Sequence, residues 1–309
     1  MSAPQPELTD LELERAEETA TDDADVPRRK GWGVGFWLAV TWTVLILGLS
    51  ALAPWLPFVD SPGAFGDFSV EPSAGPSADH WFGVNDNGVD LFSQVVWGGR
   101  VSLFISLSVV VIGFLLGGLI GMTAGFLRGR VDRVVSAVID VLLAFPALVL
   151  ALAVVAIFAS DGNAVRPTIP VIILSLAILS VAPLARITRG VTLAFSEREF
   201  VTAARTLGAK STRILRREIL PNVVPPMAAF SLVVIAVVIV AEGALAFLGL
   251  SVSAPAPTWG KLIATGRLNM EASPHLVYFP AGVMFLTILS LNYIGDVLQG
   301  KMSVREGVL

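Results

Sequence analysis

Three carboxylates in this sequence occupy costly places. Asp140, Glu242 and Asp296 lie within or beside long apolar runs. An ionisable group in hydrocarbon needs a partner or a task, and the chemistries open to it are ion pairing, proton relay and the lining of a solute path. Asp140 follows Arg133 by seven residues, about 10 Å along a helix. That depth predicts a structural pair with Arg186 or Arg189. Asp296 falls near the end of the last run and is expected to be hydrated. Glu242 lies seven residues before Gly249. Its position leaves three roles open: facing a path, pairing between subunits, or holding the chain together. Other chemistries drop out. There is no Cys and there are only two His, His80 and His275, so thiolate and histidine metal clusters are excluded. No Gly-rich Lys-Ser/Thr phosphate loop is present, so the chain is not expected to bind ATP itself. No Ser-His-Asp arrangement is visible. Asn85 to Asp90 has the look of a calcium loop, but counting Gly88 as position six makes Gly83 first and Gln94 twelfth, and both ends fail. A polar turn is the reading there.

A second group of residues has spacing suited to docking. Phe200, Ala203, Ala204 and Leu207 follow i, i+3, i+4, i+7, one apolar stripe of a helix. Glu199 and Arg205 flank it. Gly208 is placed to stop the helix with a positive φ. A basic stretch follows, with Ile214, Leu215 and Ile219 against Arg213, Arg216 and Arg217. Pro221 is expected to end it, and Pro225-Pro226 to open the next apolar run. Such a helix could lie on anionic lipid heads. The pair Ala203-Ala204 beside Gly208 instead favours close approach of another protein backbone. The segment lacks interleaved aromatics, so nucleic acid is not an expected partner.

The elements that must hold these groups are membrane helices. The chain has 309 residues, 54% hydrophobic and 15% charged, against about 25% charged in soluble domains. Six apolar runs approach the roughly 20 residues a bilayer crossing takes: about 33–54, 101–125, 134–158, 169–188, 224–249 and 276–298. Backbone groups in lipid need internal partners, so each is read as a helix. Fifteen Lys and Arg fall in or beside one set of connections and four in the other. The richer side is read as cytoplasmic, with both termini there. Residues 1–30 form an acidic tail read as disordered, and 31–309 the membrane domain, with the basic loop at about 189–223. Pro146 and Pro183 predict kinks or breaks. Gly113, Gly117, Gly118, Gly121 and Gly125 predict close helix packing. Trp81, Trp97 and Trp259 are candidates for the membrane interface.

With these residues in place, a resemblance becomes specific. Ala203-Ala204-Arg205-Thr206-Leu207-Gly208-Ala209 with Ile219-Leu220-Pro221-Asn222 resembles the cytoplasmic EAA loop of ABC-importer permeases. Gly83 to Asp90, Gly98-Gly99-Arg100, Asp140 to Pro146, Ala241-Glu242-Gly243 and Pro257-Thr258-Trp259-Gly260 resemble further segments of the dipeptide, oligopeptide and nickel branch, in order, as do Asn292 and Gly295-Asp296. Thr202 stands where the family often has Glu. The resemblance implies an all-α fold of six transmembrane helices with a coupling helix between spans 4 and 5. It implies a permease subunit in a bacterial plasma membrane, forming half of a path for peptides, with nickel or another small solute as the alternative. Its implied partners are a homologous permease, two ATPase subunits that bind ATP in its place, an extracytoplasmic substrate-binding protein and membrane lipid. Glu199, Phe200, Ala203, Ala204, Arg205, Leu207 and Gly208 are the implied coupling residues. The rival class, a self-contained secondary carrier or channel, needs paired half-helices and an intramembrane ion site.

Overall fold

The computed structural model describes residues 32–67, 69–159 and 168–306. The acidic tail, Arg28, Arg29, Lys30 and Arg166 lie outside the described residues, and the side chain of Arg305 is not described. Among the described residues there is no strand, only an isolated bridge between Val84 and Asp90. The helices are α1 (Val34–Leu52), α2 (Leu91–Leu127), α3 (Gly129–Ala144), α4 (Ala147–Phe158), α5 (Ile169–Ser196), α6 (Glu199–Thr206), α7 (Ser211–Phe247), α8 (Trp259–Gly266) and α9 (His275–Glu306). Five of them are individually long and apolar enough to cross a membrane, and the pair α3–α4 makes a sixth span if counted as one.

The centre is the pair α2 and α5, in contact along much of their length. Small residues make that possible. At Gly117 an added Cβ would lie 2.7 Å from the Val181 carbonyl oxygen, and at Gly125 2.8 Å from that of Arg189. Gly118 faces α7 instead, 2.8 Å from the Met227 methyl. Lipid offers no hydrophobic drive to helix association, so close backbone approach and dispersion must supply it. The glycine stripe therefore packs as its spacing predicts. Gly117→Leu is expected to force α2 off α5 and to lower stability by about 3 kcal/mol. Gly118→Ala, which meets only a flexible methionine end, is expected to be tolerated. The thermal midpoint of the two purified variants checks this.

The structure departs from the sequence reading at the start of the second span and at Pro221 with Pro225-Pro226, and it bears out the break expected at Pro146. The second span begins at Leu91, not near 101, because the Asp90 carboxylate caps it, accepting the Ser93 amide at 2.7 Å. The third span is broken. Phe145 is extended (φ −76°, ψ 137°), and α3 and α4 diverge by 89°. Pro146 disfavours helical Phe145 and supplies no amide. By contrast α5 runs unbroken through Pro183. Ala182, Leu184 and Ala185 around it are buried, so packing holds the helix where one hydrogen bond is missing. Finally, Pro221 ends nothing, and Pro225-Pro226 open nothing. All three lie inside α7, which passes through a π-helical turn at Leu215–Ile219. The Asn222 side chain donates to the Glu218 carbonyl at 2.6 Å, satisfying an acceptor in this irregular turn.

Around the central pair, α7 packs on α2, α5 and α9, and α1 on α9. One apolar core joins Ile105, Val109, Ile172, Leu176, Leu184 and Val234. A second gathers Leu91, Val95, Ile239, Leu276 and Leu291 around Trp259. The two long connections, 56–90 and 248–274, lie at the end opposite α6.

Candidate coupling surface and its buried support

The eight-residue helix α6 is defined at both ends. Arg198 is extended (φ −69°, ψ 151°), and its carbonyl accepts the amides of Val201 at 3.1 Å and Thr202 at 3.3 Å. Glu199 in the first turn and Arg205 in the last complement the helix dipole. At the far end Gly208 has φ +77°. Its amide donates to the Arg205 carbonyl and that of Ala209 to the Ala204 carbonyl, both at 3.0 Å. These two bonds form a Schellman motif, which needs a left-handed residue at this position. The glycine was legible in the sequence for that reason.

The helix is fastened by a residue the sequence reading passed over. Val201 is fully buried, packed with Ile214, Ile219 and Val223 of α7 and against Phe126, Val191 and Phe195. Ala204 turns to the same side and is half-buried. The apolar stripe therefore divides. Ala204 belongs to the anchored face, while Phe200, Ala203 and Leu207 are exposed, Leu207 by 87%. Arg205 lies 5.8 Å above the Phe126 ring. Arg128 Nη2, at the end of α2, donates at 3.0 Å to both Ser196 Oγ and Glu197 Oε1. The ends of α2, α5 and α7 thus carry α6 as one body.

Two ion pairs tie the first half of the broken span to α5. Arg189 Nη2 meets Asp132 Oδ2 at 2.8 Å and its Nε meets Oδ1. Arg186 meets Asp140. Of the two partners open to Asp140, Arg186 is the one in contact. No ion pair of Asp132 was read from the sequence, where Val131-Asp132-Arg133 figures only as a segment resembling the family's third span. Asp296 is exposed near the end of α9.

Glu242 faces neither open space nor a path. It is 2% exposed within its own chain. Thr258 Oγ1 donates to its Oε1 at 2.7 Å, and Ser102 Oγ approaches Oε2 at 3.5 Å. Ser102 Oγ in turn accepts the Trp259 amide at 3.1 Å. Trp259 is no interface residue: it is completely buried, and its indole N–H donates to the Val95 carbonyl at 2.9 Å. Beside it, the Gly260 backbone lies against Gly243 of α7, so close that a Cβ there would sit 2.5 Å from the Gly243 Cα. Lys261 Nζ donates to the Val252 and Ala256 carbonyls. Burial pulls Lys261 below the ordinary lysine range, and the Glu242 carboxylate opposes that shift. This hub pins α8 to α2 and α7. Trp97 donates to the Asp60 carbonyl at 2.9 Å, and Trp81 is 57% exposed.

Between α4, α5, α7 and α9 runs an apolar groove of about 340 Å³, lined by Ala151, Leu176, Leu179 and Val240, with Asn292 as its polar residue.

Comparison with known proteins agrees with this architecture. Residues 117–304 match the family described as binding-protein-dependent transport system inner membrane component. The glutathione transport system permease protein GsiD of Pectobacterium atrosepticum is 35% identical over 269 residues, 87% of each chain. The protein of that name in Escherichia coli is 37% identical over 267 residues, 86% of this chain and 85% of its own. Among solved structures, two inward-facing crystal forms of the MetNI methionine ABC transporter align with TM-scores of 0.55 and 0.57. They are 16% and 15% identical and cover 68% and 69% of this chain and 96% and 97% of theirs. An amino acid ABC transporter with histidines aligns at 0.52 and 18% identity, over 68% of this chain and 94% of its own. The solved structures support the fold, and the family match and the permease relatives decide membership: this chain is a multi-pass membrane protein of the binding-protein-dependent transport family, a permease subunit of an ABC importer.

Proposed function

We propose that this permease forms half of a peptide path in an ATP-driven importer, with α6 as the helix on which an ATPase subunit docks. The observation that carries the reading is the division of α6. One face is fixed to α2, α5 and α7 by Val201, while Phe200, Ala203 and Leu207 are left bare on the other. A bare apolar face on a rigid mount suits transmission of force, because a push on α6 moves three helix ends together. The Lys and Arg asymmetry supports a cytoplasmic location for α6 and for both termini. Partners in this reading are a homologous permease, two ATPase subunits that bind and hydrolyse ATP, and a substrate-binding protein docking on 56–90 and 248–274. The hub at Glu242 and Trp259 gives that outer end the rigidity to receive it. The apolar groove beside α4 suits one wall of the path. The peptide class rests on the glutathione permeases among the relatives, glutathione being a tripeptide. The test is uptake by a strain lacking the chain. Restored accumulation of labelled di- or tripeptides supports the reading; restored nickel accumulation with no peptide uptake contradicts its substrate class.

A further inference from the structure

A groove of about 490 Å³ opens beside α6, lined by Val191, Phe195 and Arg198, by Phe230 of α7, and by Gln299 and Met302 of α9. The loop that contributes Arg198 to this groove carries mostly positive charge. Arg198, Arg205, Lys210, Arg213, Arg216 and Arg217 are all exposed. Glu197 is engaged by Arg128, which leaves Glu199 and the half-buried Glu218 as the carboxylates of the loop. The described chain begins at the edge of this groove. Lys301 Nζ lies 3.5 Å from the centre of the Trp32 ring, and the residues on either side of Lys301, Gly300 and Met302, line the groove.

The sequence that precedes Trp32 complements what it would meet. Residues 1–27 contain nine acidic residues and one Arg. Leu8, Leu11 and Leu13 alternate with Glu7, Asp10, Glu12 and Glu14. Asp25 is seven residues from Trp32, a reach of up to roughly 24 Å. We propose that residues 7–25 dock on this groove and the basic loop beside it in their own chain, leucines toward Val191, Phe195 and Phe230, carboxylates toward Arg198 and the arginines of 213–217. Exposed ion pairs are individually weak and are screened by salt. Tethering raises the effective concentration of the segment enough for a set of weak contacts to hold. The groove shares Arg198 with the start of α6. If α6 is the coupling helix, as read above, the docked segment competes with the ATPase subunit, and its release regulates assembly.

The chain has no Cys, so it accepts spin labels cleanly. Labels are placed at Ala20→Cys and Ser211→Cys in the full chain, in phosphatidylcholine nanodiscs without any ATPase subunit. A short, narrow distance is expected at about 50 mM salt, broadening and lengthening at about 500 mM as the charges are screened. The same loss is expected when the Asp and Glu of residues 7–25 become Asn and Gln, a change that touches no described residue. A broad distribution at both salt concentrations, unaltered by that neutralisation, overturns the proposal and leaves the arginines to lipid headgroups. No ATPase is present, so this outcome is independent of the coupling reading.

Discussion

Leu207→Glu is expected to leave the permease folded and inserted while cutting ATP-driven uptake at least tenfold. The side chain is 87% exposed, so exchanging it costs folding little, on the order of 0.5 kcal/mol or less. In a docked complex the same position is covered. Removing an apolar anchor from the centre of an interface costs about 2 kcal/mol or more, and an unpaired carboxylate forced into it adds desolvation. At 1.4 kcal/mol per factor of about ten, the ATPase subunits should be released or run uncoupled. The measurement pairs membrane abundance with uptake. Thr202→Glu, at an exposed neighbour where the family often carries Glu, should be tolerated on the same assay. Uptake within about twofold of normal for Leu207→Glu would falsify the docking role of this face.

The largest effect on stability is expected at the opposite end. Trp259→Ala removes a completely buried ring at the centre of the second core. Truncation of such a ring costs about 3 to 5 kcal/mol, and the Val95 carbonyl loses the indole donor as well. Because α8, α2 and α7 meet at this residue, the permease should fail to accumulate, or should melt well below the parent. Trp259→Phe separates the two contributions. It keeps an aromatic ring but loses the indole N–H and part of the ring volume, while the Val95 carbonyl keeps its helical hydrogen bond, so its loss should be clearly smaller, about 1 to 2 kcal/mol. Equal melting points for Trp259→Ala and the parent would show that the hub does not hold α8.

What could be read from the sequence followed physical necessity at single positions. Gly208 was legible because a left-handed residue closing a helix is most often glycine. The stripe from Gly113 to Gly125 was legible because five glycines at helical spacing leave room for a neighbouring helix to approach closely. The exposed face of α6 was half legible. On an eight-residue helix Ala203 and Ala204 lie about 100° apart, and pattern alone could not say which faced outward. Val201 decides it, and its burial comes from Ile214, Ile219 and Val223, residues distant in sequence. Trp259 misled for a similar reason: tryptophan beside an apolar run is frequent at membrane surfaces, and only the tertiary fold brings Val95 and Ser102 around it. Pro146 and Pro183 show the limit of local chemistry. Residues 143–149 are exposed and nothing opposes the break. Pro183 sits among the buried residues Ala182, Leu184 and Ala185 of its own helix, and the helix continues. The second span began ten residues early because a cap, Asp90 with Ser93, outranked the hydropathy average.

The central claim is that the outward face of α6 meets an ATP-hydrolysing partner. The absence of native Cys allows a direct measurement. Leu207→Cys carrying a photoreactive maleimide, in the complete purified transporter, should crosslink to an ATPase subunit, with a yield that changes on adding ATP. Leu268→Cys, 78% exposed at the other end, should not. A transporter in which position 207 stays open to soluble maleimide and yields no ATPase crosslink, with or without ATP, would contradict the account.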